Sequence, residues 1–150
     1  SAVSAGRYHS CGVTASGSVE CWGSWLHDDA DWTSPPTGTF ETVSAGWYHS
    51  CGVTTSGSVE CWGSDSHGQS SPPSGAFATV SAGKYHTCGV TTSGSVECWG
   101  GDEYGETSPP SGTFATVSAG DEHTCGITTP GSVECWGSDS HGQSSPPPEL

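Results

Sequence analysis

The sequence predicts an all-β protein made of four copies of one short unit, and three observations predict it. The tetrapeptide Val-Ser-Ala-Gly recurs at Val3, Val43, Val80 and Val117, a repeat of about 37 residues. The periodic part of each unit is dominated by Val, Thr, Cys and Trp, with no apolar set at helical spacing. Eight cysteines stand in four pairs, each pair ten residues apart. The composition supports a folded chain on unusual terms. Of 150 residues only 31% are hydrophobic and the formal net charge is −14, a balance that usually leaves a chain disordered. Seven Trp and eight Cys oppose that outcome, because large aromatic side chains and covalent staples substitute for a missing aliphatic core.

With 2 basic against 16 acidic residues, nothing is available to neutralise phosphates, so nucleic acid is excluded as a partner. No run of 18 apolar residues occurs, and no membrane span is expected. Nor does a charged, apolar leader occur, so no signal peptide is expected in this segment.

Within each unit the order is fixed. After Val-Ser-Ala-Gly come two variable residues and a His (His9, His49, His86, His123), then a Cys-Gly-Val/Ile-Thr strand, a small turn and Ser-Val-Glu-Cys-Trp-Gly. In the second unit this reads as strands Cys51 to Thr55 and Ser58 to Gly63 about a turn in which Gly57 supplies a positive φ. The apolar stretch Phe77 to Ala82 gives a further strand. Loops such as Ser64 to Gly75 carry Gly, Ser, Asp and an extended Ser-Pro-Pro segment. The first unit has three extra residues in its loop, around Trp25 to Trp32. The units fall at approximately 1–41, 42–78, 79–115 and 116–150, with no boundary inside the single repeat domain.

In the first unit, pairing whose indices sum to 32 sets Cys11 opposite Cys21 and Val13 opposite Val19, all on one sheet face. Cross-strand disulfides Cys11–Cys21, Cys51–Cys61, Cys88–Cys98 and Cys125–Cys135 follow naturally. Each closes a loop of about ten residues, worth roughly 2.5 to 3 kcal/mol. The alternatives are free thiols, or zinc held by His9, Cys11 and Cys21 without the usual cysteine knuckle. The even cysteine count argues for an oxidising compartment, hence secretion or the cell surface. The opposite face carries Gly12, Thr14, Ser18, Glu20 and Trp22. Both faces have something to bury, so the units must stack and share one extended core.

The repeated string Val-Ser-Ala-Gly-x-x-His-[Ser/Thr]-Cys-Gly-[Val/Ile]-Thr-x-x-Gly-Ser-Val-Glu-Cys-Trp-Gly covers all four units and resembles the regulator of chromosome condensation repeats, in their secreted, cysteine-bearing form. Ser-Asp-Ser-His-Gly-Gln follows it at Ser64 to Gln69 and Ser138 to Gln143. The resemblance implies a β-propeller, one repeat per blade, most often seven blades, acting as a binding scaffold. Four repeats leave open a closed four-bladed ring, a segment of a longer protein, or an open array whose end units meet the next molecule. Where the family usually has Asn after the Cys-Trp-Gly, this chain has Asp65, Asp102 and Asp139, and it contains no Asn at all. The founding member's nucleotide exchange on a nuclear GTPase does not carry over to an oxidised, acidic chain.

Candidate sites are few. The recurrent histidines read as structural, bonded to a loop or an adjacent blade. Glu20, Glu60, Glu97 and Glu134 recur just as regularly, without the asymmetry that acid–base chemistry needs. No phosphate-binding loop, nucleophile elbow or paired-histidine metalloprotease motif occurs, so neither enzymatic activity nor a cofactor is expected. Asp28, Asp29, Asp31, Asp102, Glu103 and Glu106 lack a spaced calcium frame and read as solvated charge, with no metal site. Trp25, Trp32, Trp47, Tyr48 and Tyr85 lie outside the recurrent Cys-Trp-Gly positions and are candidate contacts for a partner or a neighbouring subunit. The segments Ser34-Pro35-Pro36, Ser71-Pro72-Pro73, Ser108-Pro109-Pro110 and Ser145-Pro146-Pro147 have the composition of O-glycosylated stalks or of rigid turns.

The expectation is a secreted, non-enzymatic structural repeat protein, a subunit of an extracellular assembly or filament, glycosylated on its Ser-Pro-Pro loops. Its partners are copies of itself, or another extracellular protein bound by the loop face; a lectin using the loop aromatics is a weaker alternative. Intact mass should rise by eight hydrogens on full reduction. A zinc-loaded protein with free thiols would instead lose one metal mass per site to chelator and gain nothing on reduction.

Overall fold

The computed structural model describes residues 2–23 and 33–149. Trp25, Trp32, Asp28, Asp29 and Asp31 lie outside the described residues. Four three-stranded antiparallel sheets follow one another, each with its strands in sequence order. The first comprises β1 (Ala2–Ala5), β2 (His9–Val13) and β3 (Val19–Gly23); the second β4 (Phe40–Ala45), β5 (His49–Thr54) and β6 (Val59–Gly63). The third comprises β7 (Phe77–Ala82), β8 (His86–Thr91) and β9 (Val96–Gly100); the fourth β10 (Phe114–Ala119), β11 (His123–Thr128) and β12 (Val133–Gly137).

Each hairpin is built by its own residues. In β5–β6 the turn closes with the Thr54 amide donating to the Ser58 carbonyl at 2.8 Å. Gly57 takes φ of 93°, a conformation that β-carbon-bearing residues avoid. The resulting register sets Cys51 opposite Cys61, Val53 opposite Val59 and Gly52 opposite Glu60. All four hairpins share this register, and all four close a disulfide: Cys11–Cys21, Cys51–Cys61, Cys88–Cys98 and Cys125–Cys135. No cysteine is free.

The first strand of each later unit contains a β-bulge, at the register shifts between Phe40 and Thr42, Phe77 and Thr79, and Phe114 and Thr116. Without it, residues three apart would point to opposite faces. With it, Phe40 and Val43 face the same way and pack with Trp62 onto Cys11, Val13 and Val19 of the sheet before. The same set recurs as Phe77, Val80 and Trp99 over Cys51, Val53 and Val59, and as Phe114, Val117 and Trp136 over Cys88 and Val90. Each Phe meets its Trp edge-on, with centroids 6.0–6.1 Å apart. The Phe ring lies over the glycine after the cysteine: a Cβ on Gly89 would come within 2.8 Å of Phe77. Every junction is therefore a seat of disulfide and valine under a plug of Phe, Val and Trp.

Hydrogen bonds fix how each plug sits. Ser4, Ser44 and Ser81 accept at Oγ from the amides of Ala45, Ala82 and Ala119 in the following sheet, at 2.9–3.0 Å. Next to these, the Arg7 and Trp47 amides donate to the Gly46 and Gly83 carbonyls. A Cβ on Gly83 would stand 2.5 Å from the Gly120 carbonyl oxygen, so the Val-Ser-Ala-Gly glycine permits the close approach of successive inner strands.

Phe77 is 2% exposed. Its replacement by Ala should cost about 3–5 kcal/mol in denaturant unfolding. Ala78→Ser, at the exposed bulge beside it, should stay within about 0.5 kcal/mol of the parent.

Candidate functional site

The four inner strands converge at their C-terminal ends. Ala5-Gly6, Ala45-Gly46, Ala82-Gly83 and Ala119-Gly120 line one cavity of about 530 Å³, with Arg7, Trp47 and Asp121 at its mouth. The two residues after each glycine vary from repeat to repeat: Arg7-Tyr8, Trp47-Tyr48, Lys84-Tyr85 and Asp121-Glu122. The fold places them side by side on one rim. Tyr8, Tyr48 and Tyr85 form a ladder with centroids 6.4 and 5.4 Å apart, and His67 joins its end at 4.3 Å from Tyr85. Burial, and after it the hydrogen bond with Tyr85, pushes the Tyr48 phenol above its ordinary range.

Trp47 holds both cations of the chain: the Arg7 guanidinium lies 3.8 Å from its ring centroid and the Lys84 ammonium 4.6 Å. Three of the five aromatics singled out in the sequence thus come together here, half-buried rather than exposed. Arg7, Tyr8, Lys84 and His67 were missed. For Arg7, Tyr8 and Lys84 the signal was the pair of positions after the recurrent glycine, which varies from unit to unit; His67 lies in a loop and carried no such signal.

The recurrent histidines sit at the junctions. His49 Nε2 lies 2.7 Å from the Thr87 hydroxyl of the next sheet, and that hydroxyl donates to the Gln69 carbonyl at 3.0 Å. Thr87 must then accept from His49, so Nε2 carries a proton, and burial keeps the imidazole neutral. His86, Thr124 and the Glu106 carbonyl repeat the arrangement. Burial is the main cause that lowers the pKa of His49 to about 3 and that of His86 to about 4. The same two loop carbonyls also accept from the indoles of Trp99 and Trp136, both at 3.0 Å.

The Ser-Pro-Pro serines are exposed. Ser71, Ser108 and Ser145 nonetheless donate their hydroxyls to Asp65, Asp102 and Asp139 at 2.6–3.0 Å. Hydrogen bonds from Ser145 and then from the Ser144 amide hold the Asp139 carboxyl below the usual carboxylate range. Among the described residues no three His, Cys, Asp or Glu side chains gather as metal ligands would. No helix among them is long and apolar enough to cross a membrane.

Each of the two outer sheets leaves residues of the junction set uncovered. On the fourth, Cys125, Ile127 and Val133 line an open groove of about 140 Å³, and Ile127 is 43% exposed. On the first, Trp22 is 54% exposed, whereas Trp62, Trp99 and Trp136 are buried.

This geometry, repeated sheet by sheet, is that of propeller blades with their variable residues gathered on one rim. The sequence profile described as Regulator of chromosome condensation (RCC1) repeat matches residues 1–24, 40–69, 77–106 and 114–143, and the chain belongs to that family. Among solved structures it is similar to the CRINKLY WD40 ectodomain of the Arabidopsis thaliana receptor kinase ACR4, with 31% identity and a TM-score of 0.73 over 90% of this chain and 48% of that one. It is likewise similar to the entire ectodomain of the Physcomitrella patens receptor kinase CR4, with 32% identity and a TM-score of 0.77 over 91% of this chain and 38% of that one. Prp20p from Saccharomyces cerevisiae, at 15% identity and a TM-score of 0.76 over 95% of this chain and 44% of that one, shares the fold. The chain thus spans less than half the length of each. No curated protein matches it.

The buried histidines give stability a definite pH dependence. In the unfolded chain they titrate near 6.5, and in the folded chain only near 4 and 3. Below 6.5 the unfolded state takes up protons that the folded state refuses. Stability is therefore complete above pH 6.5 and should fall by about 1.4 kcal/mol per pH unit for each histidine until the folded values are reached. Urea titrations between pH 7 and 4 check this, and His86→Gln should make the decline shallower.

Proposed function

We propose that the chain is an extracellular, non-enzymatic structural unit that joins further units of its own kind into a larger assembly. The observation that carries this reading is the pair of open faces: a seat without a plug on the fourth sheet and, on the first, Val3 and Trp22 exposed at the positions of the plug's Val and Trp. Ser118, His123 and the Gln143 carbonyl stand where the inner junctions use Ser81, His86 and the Glu106 carbonyl. Ser10 and Trp22 stand where the inner junctions use Thr124 and Trp136. An association of this kind that does not close gives a filament. Four disulfides and the likeness to two plant ectodomains support an extracellular setting. The units at approximately 1–41, 42–78, 79–115 and 116–150 then act as one repeat domain.

O-glycans on Ser34, Ser71, Ser108 and Ser145, or on their neighbouring prolines, belong to the same reading; surface position supports them, and excess mass on loop peptides is their test. A second reading, a module that docks another extracellular protein, is favoured by the aromatic rim of Trp47, Tyr48 and Tyr85.

Electron microscopy and sedimentation of the oxidised chain should show fibres or higher oligomers. Trp22→Ser and Ile127→Lys, one on each open face, should each reduce the material to monomers. A parent chain that is monomeric at every concentration leaves the second reading in its place.

A further inference from the structure

The rim residues meet across each inner junction, and their charges are unevenly distributed along the array. Arg7 of the first sheet lies on Trp47 of the second, and Lys84 of the third lies on the same ring from the other neighbour. Lys84 also leans on its own Tyr85, at 5.3 Å, and makes no ion pair with Asp121. Asp121 and Glu122, the rim pair of the fourth sheet, therefore hold no cation among the described residues. Glu103, then Glu122, push the Tyr104 phenol up, which marks this end of the array as a concentration of negative charge. The opposite end carries the chain's one arginine, Arg7, exposed at the mouth of the central cavity.

If the fourth sheet of one copy receives the first sheet of another with the geometry of the inner junctions, the rim residue that follows Asp121-Glu122 is Arg7. We propose that the junction between copies is charge-coded: Asp121 and Glu122 of one copy pair with Arg7 of the next. The inference rests on the assembly reading above and deepens it by naming the partner, a second copy, and the contact that orients it. Apolar burial of Trp22 in the open groove supplies the attraction, while the rim charges set direction. Two fourth faces would bring carboxylates together, whereas head-to-tail contact brings an acid pair to a base.

The test is sedimentation of the oxidised chain at one salt concentration, about 150 mM, where the repulsion between copies of net charge −14 is largely screened. Self-association should weaken about tenfold in Arg7→Glu. The far-ultraviolet circular dichroism should stay unchanged, because Arg7 lies in the turn after β1 and not in a strand, whereas the near-ultraviolet signal of Trp47 changes as the guanidinium on its ring is lost. The triple variant Arg7→Glu, Asp121→Arg, Glu122→Lys reverses both sides of the contact and should recover the association of the parent chain. Association of Arg7→Glu equal to the parent, or failure of the folded triple variant to recover, overturns the charge pairing and leaves the assembly reading standing. A parent chain that never associates overturns both.

Discussion

The constraint on which this structure depends is that one three-stranded sheet has two faces to bury and only one neighbour on each. A disulfide and two aliphatic side chains form a floor too small to exclude water unaided. A Phe and a Trp from the following unit complete it. This arrangement explains how a chain with so little aliphatic content folds: the covalent bridge does the work of core volume, and two aromatic rings supply most of the apolar area at each junction. Stability is then held in nearest-neighbour terms, as in other repeat arrays. The polar groups at the junctions set position. Serine hydroxyls, glycine carbonyls and neutral histidines each find a partner about one repeat away, so a sheet can seat only in one place along the sheet before it.

Frame and variation divide the labour. Residues identical or closely similar in every unit build the junctions. The two positions between the glycine and the histidine, which differ from unit to unit, are gathered by the fold onto one rim, where they make an aromatic ladder, two cation–π contacts on one Trp and an acidic end. A perfectly repeated chain would present a uniform rim. Here the four units present four different pairs, and the difference gives the array a direction that its backbone alone would express only weakly.

Much of this was legible in the residues. Ten-residue spacing of the cysteines with a Ser-Gly or Pro-Gly turn between them dictates the hairpin register, and through it the disulfide and the facing β-branched pair. The hidden part was the coupling between distant residues. Phe77 and Val80 are three apart, a spacing that alternation assigns to opposite faces, and only the bulge reconciles them. Trp47, Tyr48 and Tyr85 stood out as aromatics beyond the recurrent ones, yet nothing local indicated that Arg7 and Lys84 would both settle on Trp47. The replacement of the family's usual Asn by Asp65, Asp102 and Asp139 was visible. Its effect, a carboxylate taking both a loop amide and the Ser-Pro-Pro hydroxyl, required the loop geometry.

The cross-strand bridges carry a mechanical consequence. Each ties the second and third strands of its sheet at a directly opposed pair, so those strands cannot be unzipped by a pull on the chain ends while the sulfurs remain joined. Only the first strands and the connecting loops can peel and lengthen. Stretched along its backbone, the array would yield in steps between one closed hairpin and the next, the first step longer because its loop carries extra residues, each stopping at a knot of covalently closed hairpin from which the same sheet can re-form when the load is released.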